Sequence, residues 1–214
     1  RLPASYCGVY GIRPTHSNVE ARGVIPFAPS FDTVGWFARD PNILEKVGSV
    51  ILRECEATEP NRLIVVPDAF ALVEPAIRKA LQSSMERLCQ RFPVSTEIAV
   101  SLDGLKPWME CFRTIQGAEI WKSLGPWITA ESPVLGPGID ERIAAARGIT
   151  ESQVTTARAA HKQFVNRLKK IMTPGDVLCL PTSPRVAPLK GTDTNTIEDI
   201  YRYQAMCLLS IAGL

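Results

Sequence analysis

Histidine is the scarcest chemical resource of this sequence: two occur in 214 residues, His16 and His161. They lie far apart and neither adjoins a cysteine, which argues against zinc. A Ser-His-Asp set would have to draw on one of them. His161 falls in the middle of a long helical pattern, where a surface or packed ring is expected. His16 falls among turn residues and is expected to serve the turn. The six cysteines, at 7, 55, 89, 111, 179 and 207, are widely spaced, with no C-x-x-C. They read as reduced, mostly buried thiols, which favours an intracellular, cytoplasmic protein. No Lys/Arg run is present, basic and aromatic residues do not interleave, and the formal charge is only +2. These absences argue against a nucleic-acid partner. No stretch approaches the ~18 apolar residues of a membrane helix. There is no internal repeat and no low-complexity tract. No cleavable leader opens the chain, but Arg1 is not a natural start, so the N-terminus is expected further upstream.

What is present describes an ordinary globular protein. The content is 45% hydrophobic and 21% charged, and the length suits one core or most of one large domain. Residues 1–40 are dense in turn formers and end in the alternating run Thr33–Arg39. Asp40-Pro41 should start a helix, aspartate as cap and proline as first residue. Arg62–Val66 is a short apolar run without alternation, the pattern of a buried parallel strand. Glu74-Pro75 opens a helix whose buried stripe is expected to be Ala76, Ile77, Ala80, Leu81, Met85 and Leu88. Val94–Val100 reads as a strand and Leu105–Trp121 as a helix. The prolines and glycines of Gly125–Gly138 predict a loop. Asp140–Arg147 reads as a short helix. Thr150-Glu151-Ser152-Gln153 is a capping pattern that launches the longest helix, ending near Met172. Val177–Pro181 is a second apolar strand followed by a Pro-Thr-Ser-Pro loop, and a last helix is expected over 196–211. Strand and helix alternation with apolar strands gives an α/β fold, a layered mixed β-sheet flanked by helices.

The opening carries a specific set of motifs: Arg1, Pro3-Ala4, Gly8-Val9-Tyr10-Gly11, Arg13-Pro14-Thr15, Gly23-Val24-Ile25-Pro26 and Ser30-Phe31-Asp32-Thr33-Val34-Gly35. In this order and register they resemble the end of the amidase signature. The run from Pro29 to Asp40 is especially similar to the branch containing plant indole-3-acetamide hydrolases. Asp176–Thr182 and Ile211–Leu214 resemble the family's downstream strand with its Pro-Thr loop and its Ala-Gly-Leu-Pro segment. The resemblance implies that residues 1–214 are part of one amidase-signature domain, incomplete and truncated at both ends. Isolated, such a piece would leave strand edges open and is expected to aggregate or remain molten.

The resemblance also implies a function. The parent protein would hydrolyse the C–N amide bond of a small acylamide, with an aryl or indolyl group suggested by the branch. A Ser–cis-Ser–Lys triad would do this, its nucleophile two residues before Arg1 and its other members further back. No catalytic residue of the triad falls within the chain, so the piece alone is expected to be inactive. No cofactor and no metal are implied. The expected partners are a small-molecule amide and the missing N-terminal part of the domain, with a homodimer left open. Two alternatives stand beside this: a non-catalytic amidase-like binding domain, and the amidase subunit of a tRNA-dependent amidotransferase.

Several residues are candidates for the site. Arg1 either anchors the nucleophile loop through a carboxylate, Asp32 or an upstream acid, or is a surface arginine. Asp32 and Thr33 are expected to fix a turn beside the site through side-chain to backbone hydrogen bonds. Pro181, Thr182 and Ser183 follow a strand, where α/β sheets gather ligands. Trp127, with Trp108 and Trp121, either lines a hydrophobic acyl pocket or belongs to the core. Cys7 reads as a small buried residue behind the nucleophile, and Glu119 with Lys122 as a solvated pair. Family members usually carry glycine after the position of His16; this chain has Ser17-Asn18.

Overall fold

The computed structural model describes residues 2–53, 58–136 and 138–190. In chain order the elements are α1 (Leu2–Cys7), β1 (Tyr10–Ile12), β2 (Trp36–Ala38), α2 (Pro41–Ile51), β3 (Arg62–Val65), α3 (Pro67–Phe70), α4 (Pro75–Cys89), β4 (Val94–Glu97), α5 (Lys106–Glu131), α6 (Ile139–Arg147), α7 (Glu151–Ile171) and β5 (Asp176–Cys179). The helix expected over 196–211 lies outside the described residues. None of the described helices is long and apolar enough to cross a membrane.

The strands form two sheets. β1 and β2 pair antiparallel, with Gly11 opposite Phe37. The other three run parallel in the order β4-β3-β5. Central β3 buries Leu63 and Ile64 completely, as its unbroken apolar run requires of a strand covered on both faces. At its start Arg62 lies in register with Asp176. The Asp176 carboxylate accepts from Arg62 Nε at 2.9 Å, from Arg62 Nη2, and from Thr173 N at 2.6 Å. The guanidinium, assisted by these donors, holds the Asp176 carboxyl well below the usual carboxylate range.

Two helix starts obey their local chemistry. Asp40 accepts from Asn42 N at 2.7 Å and Ile43 N at 3.3 Å, with Pro41 as first residue of α2. Thr150 and Gln153 form a reciprocal capping box at the start of α7. Two other expectations fail. The segment from Gly125 is not a loop at first: α5 runs through Pro126 to Glu131. Proline removes one N–H from the helical ladder. The packing of α5 along α6 and α7, with Gly125 buried, outweighs that loss. The helix ends instead where Ser132 turns left-handed at φ 45°. The stripe of α4 is only half covered: Ile77, Leu81, Met85 and Leu88 are half-buried, and Ala76 and Ala80 are exposed. The β4-side groove and the cleft beside β5 leave that face open among the described residues.

The core has two connected parts. Beneath the parallel sheet, Val66, Val100, Leu105, Trp108, Met109 and Leu168 pack together, with Trp108 stacked on Phe164 at 4.6 Å. Beside it, Ile115, Cys111 and Ala157 of α5 and α7 receive Ala28 and Phe31 from the N-terminal loop. Phe31 meets Phe112 edge-on at 4.9 Å. That contact docks the motif-bearing segment onto the helical layer.

Candidate functional site

Each motif residue of the opening has a physical task. β1 passes so close to α1 that a Cβ on Gly11 would stand 2.7 Å from the Ala4 Cβ and 2.8 Å from the Phe37 ring. A Cβ on Gly35 would stand 2.5 Å from the Ile12 carbonyl oxygen. Neither position has room for a larger residue without displacing its neighbours. Half-buried Arg13 donates to the Phe31 carbonyl at 3.0 Å, and burial lowers the pKa of its guanidinium. Asp32 accepts from Phe27 N at 2.9 Å and Ala28 N at 3.1 Å, so its carboxylate closes the Pro26–Asp32 turn. Thr33 beside it is half-buried and makes no side-chain hydrogen bond among the described residues. Arg1 lies outside them.

Glu119 does something its neighbours in sequence did not suggest. It accepts from Ser30 N at 2.9 Å, Ser30 Oγ at 2.5 Å and Arg158 Nη2 at 2.9 Å. The carboxylate therefore ties the motif loop to α5 and α7 rather than pairing with Lys122. Only a tertiary contact reveals this, since Ser30 and Glu119 stand 89 residues apart.

Pro181 and Thr182 line a cleft of about 500 Å³ between the end of β5, α1 and α4. Ser5 and Tyr6 form one wall; Ile77, Leu81 and Met85 form another. The strand-end loop thus faces the helix that directly follows Arg1. Ser183, 7% exposed, spends its proton on the Arg185 carbonyl at 2.8 Å, so Tyr6 donates to Ser183 Oγ at 3.0 Å. Arg185 in turn meets Glu74 at 2.6 Å. Nothing in the local sequence marks Tyr6 for this bridge, which joins residues 177 positions apart.

The other candidates sit elsewhere. Trp127 is on the last turns of α5 at 52% exposure and does not border this cleft. Trp108 is core, and Trp121 lies 5.6 Å under the Arg147 guanidinium. Asp32 and His16 border a separate depression of about 330 Å³. There His16 Nε2–H donates to the Pro29 carbonyl at 2.8 Å and Ser17 Oγ lies 3.1 Å from Nδ1. His161 packs edge-on to Phe31 at 6.3 Å. Both rings take structural positions. Cys7 is exposed rather than buried, because the short α1 turns its other face, Ala4, to β1.

The cleft is shaped to take an apolar group against α4, with hydroxyl and backbone polar atoms at the β5 loop. Among the described residues no three His, Cys, Asp or Glu side chains converge to hold a metal.

A family model described as Amidase matches residues 1–89. Amidase 1 of Arabidopsis thaliana is 31% identical over 245 aligned residues, covering 100% of this chain and 57% of that protein. Outer envelope protein 64, chloroplastic, of the same plant is 29% identical over 241 residues, covering 100% of this chain and 41% of that protein. The chain thus spans about half the length of these curated relatives. A solved structure titled "Crystal structure of amidase" superposes with a TM-score of 0.78 at 20% identity, covering 97% of this chain and 51% of the other. At that identity the likeness speaks for the fold.

Proposed function

We propose, for a chain that belongs to the amidase signature family, that the whole protein hydrolyses the C–N bond of a small acylamide. The observation that carries this reading is the motif loop itself. Gly11, Arg13, Ser30, Asp32 and Gly35 each answer a defined steric or hydrogen-bonding demand around the helix that follows Arg1. A Ser–cis-Ser–Lys set would supply the chemistry, the lysine drawing a proton through the bridging serine from the nucleophile. Asp32 would support the site by holding its turn, and Arg1 by anchoring the nucleophile loop. The apolar wall of Phe70, Ile77, Leu81 and Met85, facing Pro181 and Thr182, suits an aryl or indolyl acyl group. The wide spacing of the cysteines supports a cytoplasmic setting.

The test begins with the intact mass of the source protein and the sequence preceding Arg1. A serine two residues before Arg1, with a second serine and a lysine upstream, is the expected result. The full-length protein should then release ammonia from indole-3-acetamide and phenylacetamide. Alanine in place of that serine should lower turnover by at least ~10³-fold. Full turnover in the alanine variant would overturn the mechanism. An inert residue at that position favours the second reading, a non-catalytic amidase-like binding domain. The likeness to a protein named for an outer envelope keeps that reading in view.

A further inference from the structure

Two cavities meet at α4. The cleft beside the β5 loop has a volume of about 500 Å³, and the groove on the β4 side about 930 Å³. Phe70, the last residue of α3, and Met85 of α4 border both, and they are the lining residues that the two cavities have in common. Both side chains are half-buried. The partition between cleft and groove is therefore made of side chains that the core does not lock in place.

The two walls are held differently. Phe70 is fixed through its backbone: its N–H donates to the Val66 carbonyl at 3.1 Å, and its carbonyl accepts from Arg78 Nη2 at 2.9 Å. Met85 is held near its tip, where the Cys179 thiol donates to Met85 Sδ at 3.6 Å. A thiol is a weak donor and a thioether a weak acceptor. Methionine is unbranched and adapts its shape to what packs against it. Met85 is thus the movable half of the partition. Beyond it, Val65, Pro67 and Pro75 continue the apolar surface along the groove, and exposed Glu86, Gln90 and Glu97 mark where the groove meets water.

We propose that Met85, backed by Phe70, is the specificity-determining residue that ends the acyl site. It confines the cleft to short arylacyl groups of about arylacetyl length. Where Met85 is cut back, a longer arylalkanoyl chain runs on into the groove and buries its added methylenes against Val65, Pro67 and Pro75. The inference rests on the reading of the cleft as the acyl site.

The experiment measures binding to the full-length protein by titration calorimetry. The probes are two methyl ketones, phenylacetone and 7-phenylheptan-2-one, in which a methyl group stands for the amide nitrogen. Neither can be hydrolysed, so the readout does not depend on turnover. Wild type should bind the longer ketone no more tightly than the shorter. Met85→Ala should bind the longer ketone about tenfold more tightly than wild type does, from the apolar surface it newly buries. Its affinity for phenylacetone should stay within about threefold. Met85→Leu conserves volume and should follow wild type. Phe70→Leu trims the same partition from α3 and should move the preference in the same direction as Met85→Ala. Thermal melts show which variants are folded, and Phe70→Leu decides should Met85→Ala fail to fold. An unchanged preference in the folded variant would overturn the proposal, as would a wild type that already favours the longer ketone tenfold. Binding of neither ketone to any of the proteins would remove the acyl site from this cleft and the inference with it. Ammonia release from phenylacetamide by the same wild-type sample reports separately on the amidase reading.

Discussion

The N-terminal segment, residues 2–53, and the body from residue 58 onward are held together by different physics. The first segment buries only Ala4, Pro14, Ala28 and Phe31 among its described apolar side chains, while Tyr10, Val24, Ile25, Phe27, Phe37, Ile43 and Val50 stand exposed. Its shape rests on individual atoms: the Asp32 carboxylate, the Arg13 guanidinium, and missing Cβ atoms at Gly11 and Gly35. The body does the reverse. Its parallel sheet and the α5–α7 layer enclose Leu63, Ile64, Val66, Met109, Ile115 and Leu168 at 2% exposure or less. Shape there comes from filled volume. A segment specified atom by atom tolerates few residue types, whereas a core specified by volume tolerates many.

The largest effect should therefore come from emptying the body. Met109 is fully buried in the cluster beneath the sheet. Met109→Ala should lower stability by about 3 kcal/mol, from lost transfer energy plus the cavity left behind. Met109→Leu should cost under ~1.5 kcal/mol, since volume is conserved. Urea unfolding of the full-length protein measures both. Equal losses in the two variants would mean that side-chain identity, not volume, governs the body, and the contrast between the regions would fail.

The next effect tests the joint between them. Glu119 is the residue of the body on which the motif loop hangs, through Ser30 and alongside Arg158. Glu119→Ala should lower stability by about 1 kcal/mol, because Ser30 N–H, Ser30 Oγ and Arg158 lose a charged acceptor at an exposed joint. The selective sign is hydrogen exchange: amides of the Pro26–Asp32 turn should exchange faster while those of β3 keep their protection. Uniform acceleration would show that the loop and the body open as one unit.

These two regions were also legible in the sequence to different degrees. Helix starts at Asp40-Pro41 and Thr150–Gln153 were readable because their cause is local: a side-chain oxygen and the amides two or three residues on. The β3 strand was readable from its unbroken apolar run. Pro126 misled because a local breaker was outweighed by packing that only the folded chain supplies. The α4 stripe misled in the opposite sense: periodicity shows which face is apolar, not whether anything covers it. The turn closed by Asp32 and the strand-end position of Pro181 and Thr182 were foreseeable from turn chemistry and from the apolar run before them. Tyr6–Ser183 and Ser30–Glu119 were not, since each joins residues that are distant in the chain.

The smallest effect concerns a single backbone angle. Family resemblance leads one to expect glycine where the chain has Ser17, and Ser17 adopts φ 65°. The turn keeps its form: Asn18 N reaches the Thr15 carbonyl at 3.0 Å, and Ser17 Oγ engages His16 Nδ1 at 3.1 Å. A left-handed L-residue carries about 1–2 kcal/mol of strain. Glycine removes that strain but makes the unfolded chain freer, which takes back about 0.5–1 kcal/mol. Ser17→Gly should therefore stabilise the protein by about 0.5 kcal/mol despite losing an exposed hydrogen bond. Ser17→Ala keeps the strain and loses the bond, so it should destabilise by about 0.5 kcal/mol. Paired thermal melts give the sign of each. Opposite signs would show that backbone conformation, more than the side chain, sets the residue at this position. Two destabilised variants would instead make the serine hydroxyl the feature that holds the turn.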